Sequence, residues 1–147
     1  MDIQELRREA QTMQPQLTAD RRRLHRNPEA GAVLPETVAY VKGRLTEMGY
    51  HPQELGGGLT ATVTGTDTGR CILLRADMDA LPIQEDTGLP FACQNGTAHA
   101  CGHDMHTAML LAAAKMLSET QDELKGTVKL MFQPAEEIFT GAQAMID

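Results

Sequence analysis

The strongest constraint in this chain is one long apolar helix set between two short β-forming runs. Cys71-Ile72-Leu73-Leu74 is continuously apolar, the pattern of a strand covered on both faces. Asp104 to Leu117 is apolar nearly all round, which predicts a buried helix. Thr127 to Phe132 reads as the next strand, stopped by Pro134. Two strands of one sheet joined through a helix run parallel, with a right-handed crossover. The carboxyl ends of both strands and the amino end of the helix then share one sheet edge, where open α/β sheets place their ligands.

The flanking segments fit the same class. Leu6 to Arg26 carries Leu6, Ala10, Met13, Leu17 and Leu24 among many charges, as one or two surface helices broken at Pro15. Pro35 to Met48 predicts a helix with Val38, Val41, Leu45 and Met48 on one stripe and Gly49 as its stop. Leu59 to Thr64 alternates as a strand between Gly56-Gly57-Gly58, read as a turn, and Gly65. With no repeat or low-complexity linker, residues 1–147 are expected to form a single domain.

Composition excludes several function classes. A net charge of −7 and 3% aromatic residues argue against nucleic acid and anionic membranes as partners. The run from Met1 to Arg8 lacks the apolar core of a secretory signal, and Ala108 to Ala114 is too short to span a bilayer. Three cysteines cannot all pair within one chain, so reduced thiols and a cytoplasmic address are expected.

Three polar groups are predicted to meet at the sheet edge: Asp77 with Asp79, Cys101 with His103, and Glu136 with Glu137. Thiolate, imidazole and carboxylate are the donors that first-row divalent metals take from proteins. Cys101 and His103, two apart on an extended segment, would point to one side, with Gly102 leaving room for close approach. Alternatively they form a helix entrance in which His103 caps and Cys101 packs; the arrival of Glu137 favours ligation. On extended backbone the neighbours Glu136 and Glu137 would diverge, one holding metal and the other free to take a proton, unless both belong to a solvated acidic turn. Asp77 and Asp79 read either as turn formers before Pro82 or as acceptors that orient a ligating imidazole. His106 suits packing or a substrate contact as well as ligation, and His99 is equally open. His25 reads as a helix-end residue, and Cys71 and Cys93 as structural.

Four ordered segments carry a family resemblance: Leu24-His25-Arg26-Asn27-Pro28-Glu29, Arg75 to Pro82, His99 to His106, and Gln133 to Glu137. Together they resemble the amidohydrolase branch of the aminoacylase and carboxypeptidase metallopeptidases, over nearly the whole chain. The resemblance implies a zinc-peptidase-like catalytic domain, an α/β fold of three layers, helix–sheet–helix, with a mixed, mostly parallel sheet. It implies Cys101, His103 and Glu137 as metal ligands, Glu136 as general base and Asp77 as the active-site aspartate. Arg75 stands where the wider superfamily has a metal-binding histidine, and arginine cannot ligate.

The implied reaction is hydrolysis of an N-acyl amino acid, such as hippurate, to a carboxylic acid and an amino acid. One or two divalent ions, manganese, zinc, cobalt or nickel, would activate water, and Glu136 would carry its proton to the leaving amine. The family has further histidine ligands and a lid-like domain that commonly mediates homodimers. Neither is expected here, because the sequence ends at Asp147 inside a helix begun near Thr140. The rival expectations are a truncated, non-catalytic and self-associating fragment, or a related carboxypeptidase or deacetylase.

Overall fold

A computed structural model describes residues 2–66 and 69–147; Met1, which opens the N-terminal run, lies outside them. Helix α1 (Ile3–Thr12) starts from a reciprocal cap. Asp2 Oδ1 accepts the N–H groups of Gln4 and Glu5 at 2.7 and 2.9 Å, and Glu5 Oε2 accepts that of Asp2 at 2.8 Å. The chain breaks at Met13 rather than at Pro15, because Pro15 sits in the first turn of α2 (Gln14–Arg26), where no N–H is needed. Helix α3 (Pro35–Glu47) likewise begins on its proline. Its first turn is capped by Glu29 of the Asn27-Pro28-Glu29 run, whose carboxylate accepts the N–H of Thr37 at 2.8 Å.

Strand β1 (Gln53–Leu55), not expected from the sequence, and the expected strand β2 (Gly58–Thr64) form a hairpin about the expected turn at Gly56 and Gly57, both at positive φ. Strand β3 (Cys71–Asp77), helix α4 (His103–Glu119) and strand β4 (Thr127–Gln133) form the expected crossover. A short helix, α5 (Gly141–Ile146), follows. The sheet order is β1-β2-β4-β3, with β3 and β4 parallel from Cys71↔Thr127 to Asp77↔Gln133. The architecture is mixed α/β as expected, but the parallel share is smaller: β1–β2 and β2–β4 are antiparallel.

Period-two alternation decides what the sheet buries. Leu59, Phe132 and Ala76 form one cross-strand row and Ala61, Leu130 and Leu74 the next, and these pack on Val41 and Leu45 of α3 and Leu110, Leu111 and Ala114 of α4. Thr62, Lys129, Leu73 and Arg75 occupy the opposite face and are exposed. Among the described residues, then, this apolar core covers one side of the sheet, not the two that a three-layer sandwich requires.

Strand β3 corrects a second expectation. It lies at the edge of the sheet, with Ile72 61% and Leu73 56% exposed, and Cys71 is exposed rather than buried. A continuous apolar run marks a surface to be covered; it does not say what covers it. Helix α4 is buried along Thr107, Ala108, Leu111 and Ala114, while Met105 and Met109 are half exposed.

Candidate metal centre

Backbone pairing draws the distant segments together. Met78 donates to the Gln133 carbonyl at 2.8 Å, and Leu81 and Ala98 exchange two hydrogen bonds of 3.0 Å. The loop after β3 is thereby tied both to the end of β4 and to the segment that enters α4.

Cys101 occupies a turn, Gly102 has φ +84°, and His103 opens α4. No atom lies within 4 Å of a Cβ built on Gly102, so its glycine serves the left-handed backbone, not the close approach expected. That kink, rather than an extended segment, turns Cys101 and His103 to the same side. His103 Nδ1 lies 2.8 Å from the Asp79 carbonyl oxygen, an acceptor, so Nδ1 carries a proton and Nε2 is the nitrogen whose lone pair a neutral ring would offer. Nε2 faces Asp77 Oδ1 at 3.6 Å, and Glu136 Oε2 and Glu137 Oε1 at 3.7 Å each.

Glu136 and Glu137 therefore converge where divergence was expected. They lie in a turn after β4, not on extended backbone, between Ala135 and Phe139, both at positive φ. Asp79 holds this turn: its Oδ1 accepts the Glu136 N–H and its Oδ2 that of Glu137, both at 3.0 Å. Asp79 thus orients the imidazole through its carbonyl and the glutamates through its carboxylate, a double role that spacing alone did not reveal.

Asp77 ends β3. Its Oδ1 lies 2.6 Å from His106 Nδ1 and its Oδ2 3.0 Å from Arg75 Nη1. Burial pushes the Asp77 carboxyl up, but the His106 hydrogen bond and the charges of His103 and Arg75 outweigh it and hold the group below its ordinary range. Arg75 also donates to Gln133 Oε1 at 2.8 Å. His106 stacks on His103, with ring centroids 5.5 Å apart.

The donor atoms of Cys101, His103 and Glu137 lie within 4.8 Å of one another, as do those of Asp77, His103 and His106. Glu137 Oε1 is buried without a hydrogen-bond partner. The neighbouring Glu137 carboxylate pushes the Cys101 thiol up from its ordinary range. A lone pair, a sulfur and several carboxylate oxygens facing one another repel unless a cation or protons lie between them. The residues fit a divalent ion taking thiolate, imidazole and carboxylate.

The remaining candidates lie outside this cluster. His99 is buried with neither ring nitrogen partnered, and burial pulls it down to about 4. Cys93 is buried, in keeping with a structural role. His25 ends α2 but is buried in a polar network with Glu85 and Asp104 that sequence reasoning missed, since the partners are 60 and 79 residues away.

The site is thus a thiol–imidazole–carboxylate cluster at the carboxyl edge of two parallel strands in a mixed α/β unit. Residues 73–147 match the model of peptidase family M20/M25/M40, and the chain belongs to that family. It is 50% identical over 139 residues to an N-acetyl-L-cysteine deacetylase of Bacillus subtilis, covering 92% of this chain and 33% of that protein. It is 40% identical over 152 residues to an N-acyl-L-amino acid amidohydrolase of Geobacillus stearothermophilus, covering 99% and 40%. The crystal structure of a dinuclear metal binding M20 peptidase from Bacillus subtilis superposes with a TM-score of 0.88 at 42% identity, covering 92% of this chain and 39% of that one. The chain thus spans between 33% and 40% of the length of these relatives. No helix among the described residues is long and apolar enough to cross a membrane.

Proposed function

We propose that this chain is the metal-binding portion of an amidohydrolase that cleaves N-acyl amino acids, hippurate-like substrates among them, to a carboxylic acid and an amino acid. The observation that carries the reading is the convergence of Cys101, His103 and Glu137 with Glu136 beside them. Cys101, His103 and Glu137 would hold one of one or two divalent ions, with manganese, zinc, cobalt and nickel as candidates. When bound, such an ion supplies Lewis acidity toward water and the acyl carbonyl.

The chain's own groups divide the remaining work. Glu136 takes a proton from the attacking water and returns it to the departing amine nitrogen. Asp77, kept ionised by His106 and Arg75, presents negative charge to the site and steadies the His103 ring. Asp79 sets the turn so that both glutamate side chains reach the same point. Likeness to a deacetylase and to an N-acyl amino acid amidohydrolase supports a small N-acylated substrate.

Three protein donors leave an ion incompletely held, and the described residues place no groups on a far wall to hold substrate. Residues 1–147 alone should therefore turn over little or no substrate and self-associate in solution, whereas a form spanning its relatives' whole length should be active in the cytoplasm, as a homodimer. The test is an assay of that longer form, loaded in turn with the four metals, on N-acetyl-cysteine, hippurate and unacylated dipeptides. Preference for the N-acyl amino acids is expected; faster cleavage of the dipeptides would replace this reading with a peptidase.

A further inference from the structure

The buried network around His25 takes no part in the reaction above, yet it grips the segment that carries the proposed ligands. His25 Nδ1 lies 2.7 Å from Asp104 Oδ2, and Nε2 lies 2.9 Å from Glu85 Oε1. A neutral imidazole has one N–H and one lone pair, so both carboxylates are satisfied only when each nitrogen carries a proton. Arg21 Nε also reaches Asp104 Oδ2 at 2.8 Å, so the guanidinium and the imidazole share one carboxylate oxygen. Phe91 covers the group, edge-on to the His25 ring at 5.4 Å and beneath the Arg21 guanidinium at 5.2 Å.

The two ends of this bridge are anchored differently. Glu85 belongs to the loop after β3, where its other oxygen accepts the Cys93 N–H at 2.8 Å. Asp104 follows His103 in the first turn of α4. That helix starts from Gly102, which has no side chain to cap it; its carbonyl accepts the Met105 and His106 N–H groups, and Asp104 Oδ1 accepts the Met105 N–H at 2.9 Å. His103 and Thr107 tie this turn to the carbonyls of Asp79 and Asp77, and the contact on Asp104 adds a hold from α2, which packs directly against α4. His103 and His106 both project from this turn.

We propose that His25 is a positioning residue for the metal-binding segment: by holding Asp104 it helps fix the first turn of α4, and with it the direction in which His103 presents Nε2. This rests on the reading of Cys101, His103 and Glu137 as ligands. The Asp104 contact carries the effect, and the Glu85 contact holds the imidazole in place.

The two ring nitrogens of His25 can be tested separately. An asparagine amide nitrogen reaches about where Nδ1 sits, and that of glutamine, one methylene longer, about where Nε2 sits. His25→Asn therefore keeps a donor to Asp104 and drops Glu85, while His25→Gln does the reverse. Cobalt(II) titration, read by thiolate-to-cobalt absorption, should find His25→Asn close to the unsubstituted protein. His25→Gln should bind cobalt about 10-fold or more weakly, with an altered band, the effect typical of outer-sphere partners.

Amide hydrogen exchange at Met105 and His106, measured without metal, should speed up in His25→Gln and not in His25→Asn. The core variant Leu45→Ala controls for lost stability and should leave the cobalt band in place. Should either His25 variant fail to fold, Arg21→Gln and Glu85→Gln repeat the comparison from the partners, with cobalt affinity falling in the first and holding in the second. Equal effects of His25→Asn and His25→Gln on both readouts would make His25 a fold staple and overturn the proposal, as would no effect of His25→Gln. If the unsubstituted protein takes up no cobalt, the metal-site reading fails, and the exchange measurement still decides whether His25 positions the turn.

Discussion

The Asp79 carboxylate accepts the backbone N–H of Glu137 at 3.0 Å, so a loop residue after β3 sets the direction of a side chain 58 positions later. The same carboxylate takes the Glu136 N–H through its other oxygen. An amide in its place has a single acceptor oxygen and turns a donor toward the second N–H. Asp79→Asn should therefore lose about 1.5–3 kcal/mol of stability, the range for a hydrogen bond to a charged group, and bind metal more weakly. Urea unfolding and a cobalt titration check this; unchanged values in both would show that the turn holds without Asp79.

The two glutamates should separate on substitution. Glu137→Gln should reduce metal uptake, because an amide is a poorer ligand than a carboxylate. Glu136→Gln should retain metal and, in a form spanning the whole length of its relatives, lower turnover by about 10²–10⁴-fold, the usual contribution of a general base. Metal content of the purified variants, measured beside their rates, decides the assignment; the opposite pattern exchanges the two roles.

Gly141 sets the far side of the same turn. A Cβ built there falls 1.6 Å from the Pro134 carbonyl oxygen, an impossible contact with backbone. Gly141→Ala should displace the turn carrying Glu136 and Glu137 and weaken metal binding. Gly43 lies within α3 with nothing within 4 Å of such a Cβ. Gly43→Ala should instead stabilise by about 0.5–1 kcal/mol, the usual gain for alanine over glycine in a helix. Thermal unfolding and metal titration of the two variants give the contrast.

Acid should weaken the fold partly through Glu85. Burial pushes this carboxyl up, but the hydrogen bonds from His25, Thr87 and the Cys93 N–H prevail and bring it from 4.5 down to about 2. A carboxyl depressed by folding adds stability that is fully present above its unfolded value and is lost as pH falls through its folded one. The Glu85 contribution should therefore vanish between about pH 4.5 and about pH 2. Denaturant midpoints for the unsubstituted chain and Glu85→Gln should converge across that window as pH falls; parallel curves would show that Glu85 does not carry this dependence.

The β3 edge should make residues 1–147 associate. Ile72 and Leu73 are more than half exposed on a strand whose second edge is unpaired among the described residues. Leu73→Lys places a charge on that edge, the device by which natural sheets discourage pairing. Sedimentation should show less association for Leu73→Lys than for the unsubstituted chain; equal association would move the contact elsewhere.

Much of the fold was legible in local pattern. Pro35 and the stripe through Val41 and Leu45 mark α3, Gly56 to Gly58 mark the turn before β2, and the run from Cys71 to Phe132 yields the parallel crossover, because periodicity and connection length are local properties. The meeting of Asp77, Cys101, His103, Glu136 and Glu137 followed from that crossover alone, before any distance was known. Local pattern failed at β3, where an apolar run looks the same at the edge of a sheet as at its centre.

What the sequence alone determined is which residues share the edge and which donor chemistry they bring. Only the tertiary structure decided how they face one another. The left-handed Gly102 turns Cys101 and His103 together, the Asp79 carboxylate folds the glutamate turn inward, and His25 bridges Glu85 to Asp104 across 60 and 79 residues. Each is a hydrogen bond between distant segments or a single φ value, and neither leaves a trace in hydrophobic periodicity. Both depend on where the packed elements bring the backbone, which side-chain pattern does not encode residue by residue.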